Sequence, residues 1–61
     1  MLKYASSIKP GDRLAADTFF DIRECRVDAV VREGWLVRLM TTDRFYPDGY
    51  LLRPFDKVCM K

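Results

Sequence analysis

Apolar and polar positions alternate with a period near two along most of this chain, and short turn-forming clusters interrupt the alternation at intervals. The interruptions are Lys9-Pro10-Gly11-Asp12, Glu33-Gly34, Tyr46-Pro47-Asp48-Gly49 and Arg53-Pro54-Phe55-Asp56. Runs rich in Val, Leu, Ile and aromatics lie between them, the pattern of several short strands in a small barrel or sandwich. No stretch repeats apolar residues at i, i+3, i+4 and i+7 over three turns, so at most one short helix is expected.

The strongest run covers residues 25–40 and predicts a hairpin about Gly34. A three-residue loop, Arg32-Glu33-Gly34, with Gly34 at the left-handed position of a type I turn plus bulge, sets Val31 opposite Trp35, Ala29 opposite Val37 and Val27 opposite Leu39. That register predicts a wholly apolar inner face and an outer Asp28–Arg38 charge pair. It leaves Val30, Leu36 and Met40 outside beside Arg38, a candidate interface. A second hairpin turns at Tyr46-Pro47-Asp48-Gly49-Tyr50, placing Phe45 against Leu51 in the core and Tyr46 opposite a half-exposed Tyr50. Pro54-Phe55-Asp56 reads as one 3₁₀ turn, since proline presets φ and cannot join a strand ladder, and residues 57–60 form a last short strand. In the N-terminal third, residues 2–5 are expected as an edge strand and residues 12–15 as a strand after the Pro10-Gly11 turn. Residues 16–24 read as a long connection or an irregular strand.

The chain has 61 residues, enough for one domain spanning 1–61, and a chain of this size buries only about 60% of its unfolded surface. Hydrophobic residues are 49% and charged residues 33%, a globular balance that leaves some apolar side chains near the surface. That surplus favours a protein partner or a homodimer. Histidine is absent and there are two cysteines, so no zinc-binding set exists and no metal or cofactor is expected. Ser-His and Cys-His activation are likewise excluded, and no glycine-rich phosphate loop is present. The chain is expected not to be an enzyme, with no catalytic residue. Cys25 and Cys59 sit in strand patterns and read as reduced, buried thiols, with a bridge as the alternative. No N-terminal apolar run suffices for a signal peptide or a membrane span, so a cytoplasmic location away from membranes is expected.

The formal net charge is +2 and the isoelectric point about 8.7. Seven of the eleven basic residues are arginine, but nine acids are interleaved with them and no run of positive charge forms. Nucleic-acid binding is therefore permitted without being favoured.

The order strand, long connection, two hairpin-linked strands, tight turn, strand, 3₁₀ turn and last strand resembles the SH3-like small β-barrels, including KOW- and Tudor-type modules. The residues carrying this resemblance are Ile8-Lys9-Pro10-Gly11-Asp12-Arg13-Leu14, the hairpin around Gly34, Asp48-Gly49 and Pro54-Phe55-Asp56-Lys57-Val58. It implies a mostly β fold, a barrel of about five antiparallel strands with a 3₁₀ turn before the last. It also implies binding more often than catalysis. Aromatic and arginine residues near the loops are the candidate contacts: Phe20, Tyr46 and Tyr50 with Arg23, Arg44 and Arg53. The expectation is a small non-catalytic module, of accessory or phage type, that contacts another protein. A nucleic-acid-binding barrel and a self-assembling subunit are the alternatives.

Overall fold

Period-two alternation yields strands and nothing longer than a single helical turn. The structure is a computed structural model describing residues 1–61. Its elements are β1 (Leu2–Tyr4), a 3₁₀ helix (Ala5–Ser7), β2 (Arg13–Leu14), β3 (Cys25–Glu33), β4 (Leu36–Thr41), β5 (Tyr50–Leu52) and β6 (Lys57–Cys59). β2, β3, β4 and β5 form one antiparallel sheet in that order, curled into a half-barrel, and β1 pairs with β6. A bridge between Leu14 and Met60 joins the two sheets through β2. The Ala15 N–H donates to the Cys59 carbonyl at 2.9 Å there, and the Lys61 N–H to the Arg13 carbonyl at 3.0 Å. At the other margin, the Ala5 and Ser6 N–H groups donate to the carbonyls of Asp56 and Pro54, fastening the 3₁₀ helix to the turn that follows β5. The core fills the concave side. Leu14, Val27, Val37, Leu39 and Val58 are its largest fully buried side chains.

The β3–β4 hairpin forms as expected, but in a different register. Its turn is Gly34-Trp35, so Glu33 faces Leu36, Val31 faces Arg38, Val30 faces Leu39 and Ala29 faces Met40. Gly34 has φ +63° and Trp35 does not share the positive φ, the signature of a type II′ turn, whose twist matches that of the flanking strands. A bulge between Val27 and Ala29 then shifts the register, and Val27 faces Thr41. The bulge takes up one residue, so Val27 and Val30 both reach the core although they differ in parity. The expected register required Val31 and Trp35 inside; both are exposed instead. Val30 is therefore not an outer-face residue. The Asp28–Arg38 pair also fails to form: Asp28 pairs with Arg26, and Arg38 pairs with Glu33.

The second hairpin pairs Leu39 with Tyr50, Arg38 with Leu51 and Val37 with Leu52. Residues 42–49 become a loop, and Phe45 leaves the core for the surface because the Asp43 carboxylate draws the Phe45 N–H into a local turn at 3.0 Å. Tyr50 and Leu52 occupy the interior that Phe45 and Leu51 were expected to fill. Gly49 lies so close to β4 that a Cβ there would stand 2.2 Å from the Leu39 carbonyl oxygen.

Pro10-Gly11 turns the chain into β2 through an Asp12 N–H to Lys9 carbonyl bond, and Gly11 and Asp12 together face Val27. The Arg53–Asp56 segment closes as one i→i+3 turn ahead of β6, while the 3₁₀ helix lies at Ala5–Ser7, cutting short the expected first strand. Cys25 and Cys59 are free and half-buried. No helix is long and apolar enough to cross a membrane.

Candidate functional site

Two aromatic groups stand at the surface, and the residues the sequence singled out are divided between them. The first is a stack of Trp35 on Phe55, with ring centroids 6.4 Å apart and planes 21° from parallel. The type II′ turn projects Trp35 from the tip of the β3–β4 hairpin. The Arg53–Asp56 turn brings Phe55 beneath it. Trp35 is 61% exposed and Phe55 58%, large values for side chains of this size. The Arg53 guanidinium lies 5.0 Å from the Phe55 centroid, within range of a cation–π contact.

Arg53 is held from behind. Asp56, 8% exposed, accepts from Arg53 Nη2 and Nε at 2.9 and 3.1 Å, and from the Arg53 backbone N–H at 2.9 Å. Burial alone would raise the Asp56 carboxyl, but the Arg53 guanidinium and N–H outweigh it and hold the group below its ordinary value. Phe55 and Arg53 thus sit on a turn braced by a buried carboxylate and pinned to the 3₁₀ helix, and Trp35 stacks on Phe55 from the hairpin tip.

The second group joins the 16–24 connection to the 42–49 loop. Tyr46 and Tyr50 rings lie 5.0 Å apart, the Tyr50 hydroxyl donates to Asp43 Oδ2 at 2.7 Å, and the Tyr46 hydroxyl bonds the Asp21 carboxylate. The Arg23 guanidinium sits 4.1 Å from the Phe45 centroid and 4.0 Å from Asp43. Tyr50, however, is 6% exposed, and its hydroxyl also accepts the Arg23 backbone N–H at 3.4 Å. It is a brace inside the fold and not the half-exposed contact expected of it. Phe20 packs half-buried against the core, in an edge-on contact with Phe19. The residues that face solvent here are Phe19, Phe45 and Arg23, with Arg44 exposed in the same loop.

The structure therefore brings Arg23, Tyr46 and Tyr50 together, keeps Arg44 nearby in sequence, and places Arg53 with a different set of aromatics. Leu36, Arg38 and Met40 share the face of β4 opposite Val37 and Leu39, all three half-buried. Arg38 spans that face, donating to Glu33 and, at 2.7 Å, to the Asp48 carbonyl. Trp35 is the exposed aromatic that sequence reasoning placed in the core. The signal was present, since a residue following a turn glycine is free to leave the ladder, but the assumed loop length put it in the core. No three side chains among Asp, Glu and Cys converge as a metal site. No protein family, curated protein or solved structure matches this chain.

Proposed function

We propose that this chain is a non-catalytic binding module that contacts another protein through the Trp35–Phe55–Arg53 platform. The observation carrying the proposal is the exposed, stacked Trp35–Phe55 pair with a guanidinium against it. Trp and Arg dominate the energetic centres of protein interfaces, and a rigid aromatic surface costs little entropy on binding. The β2–β3–β4–β5 meander, with β6 returning beside β2 after a tight turn, supports reading the fold as a small barrel of the SH3-like kind. Two free thiols suit a reducing compartment such as the cytoplasm.

Trp35 is the chain's single tryptophan, so its fluorescence reports on the platform directly. The protein and its Trp35→Ala variant, each immobilised, are exposed to extract from the cells that produce the chain. A protein held by the first and lost by the second, with the two melting within about 3 °C of one another, supports the platform as the contact. Equal retention by both overturns it. Sedimentation equilibrium covers the remaining case: a self-association abolished by Trp35→Ala would give the platform to a second copy of this chain.

A further inference from the structure

At the opposite end of β3 from Trp35, three cations stand side by side across adjacent strands. Arg13 on β2 faces Arg26 on β3, and the Leu14–Met60 bridge sets Lys61 on the other flank of Arg13. Like charges placed directly opposite in a sheet destabilise it, and here three are opposed in one row. Their compensation is incomplete. Arg26 has Asp28 at 3.4 Å and Lys61 bonds the Glu24 carboxylate, but Arg13, the central cation, takes part in none of the molecule's ion pairs. Arg13, Arg26 and Lys61, with Glu24 and Cys25, line a pocket of about 180 Å³, and three of these five residues have cationic side chains.

We propose that the Lys61–Arg13–Arg26 row binds a phosphate group. Two planar guanidinium forks and one ammonium offer donors to several oxygens at once, and a phosphoryl group carries both the oxygens and the charge to answer them. The pocket volume equals roughly six water molecules at about 30 Å³ each, which admits one tetrahedral oxyanion with some of its hydration. Such an occupant converts an unfavourable cation row into a binding site. The row is separated from the Trp35–Phe55 platform by most of the length of β3, so it stands or falls independently of the protein-binding reading.

The test is a titration of the ¹⁵N-labelled protein with inorganic phosphate at constant ionic strength. Saturable shifts of the Arg13, Arg26 and Lys61 amides and of the arginine Nε–H signals are expected. Arg13→Gln should weaken the apparent affinity by about tenfold or more, and Lys61→Gln should weaken it also, whereas Arg32→Gln, an exposed arginine near the far end of β3, should not. Shifts that never saturate, or that persist unchanged in Arg13→Gln, overturn the proposal. A single strand of about twelve nucleotides identifies the source of the phosphate. If it saturates the same amides at a concentration of phosphate groups about tenfold below that of inorganic phosphate, the ligand is a polynucleotide backbone; equal potency assigns the site to a small phosphorylated molecule.

Discussion

Tyr50 and Asp43 show how one buried hydroxyl ties two loops to the curled sheet. The phenol is pushed up by burial and by its bond to Asp43, while the Tyr50 hydroxyl and the Phe45 N–H hold Asp43 below its usual value. Tyr46 is raised as well, chiefly by Asp21. A phenol raised in the folded state keeps its proton after the unfolded chain has lost it. Its stabilisation is complete below pH 10 and is lost as pH climbs past that ordinary value. Alkaline titration followed by tyrosinate absorbance should therefore show Tyr46 and Tyr50 ionising late, with unfolding close behind. Tyr50→Phe should cost about 1 kcal/mol, about 4–8 °C in Tm, and flatten that alkaline limb. Nothing in the sequence separated Tyr50 from Tyr46, because both flank the same turn and their difference in burial depends on the Asp43 carboxylate and on Arg23 from another loop meeting the Tyr50 hydroxyl.

At the scale of elements, the turn glycines are equivalent in sequence and unequal in structure. Gly34 and Gly49 both have positive φ, but a Cβ on Gly34 would meet open space, whereas one on Gly49 would collide with the Leu39 backbone. Gly34→Ala should cost about 1–2 kcal/mol, the penalty of the left-handed conformation alone. Gly49→Ala adds a backbone clash of the overpacking kind and should cost about 3 kcal/mol or more, enough to leave much of so small a domain unfolded. Thermal melts of the two variants check this ordering; equal losses would mean that β4 yields freely at Leu39. Both turns were legible in the sequence because Gly and Pro preferences are local. Loop length was not, because a two-residue and a three-residue loop at Gly34 satisfy local rules equally well and only the bulge at Asp28 decides between them.

For the whole molecule, three carboxylates work in the same direction. Asp12, held low by the Lys9 N–H and then by Lys3, joins Asp43 and Asp56 in having a depressed folded-state value. Each binds its proton less readily when folded, so its contribution is present above the ordinary carboxylate value of 3.8 and is lost as pH falls below it. Denaturation midpoints measured from pH 6 to pH 2 should fall steeply only in the last part of that range, and Asp56→Asn should make the fall shallower. Because Asp56 also positions Arg53, the same substitution should weaken partner capture. Asp12 is not placed near the platform, so Asp12→Asn should alter the acid limb without affecting capture.

The sequence by itself determined the mostly β fold class, the approximate places of most strands, and the turns at Pro10-Gly11, Gly34 and Gly49. These follow from periodicity, backbone preferences and composition, all of which are local or additive. Only the tertiary structure decided the strand register, the exposure of Trp35 and Phe45, the burial of Tyr50, and the juxtaposition of Arg13, Arg26 and Lys61. Those residues are far apart along a chain in which acids and bases alternate, and antiparallel pairing is what brings like charges to one row. Register is a property of two strands at once. A single bulge of one residue in β3 reassigns which side chains form the core and which remain at the surface.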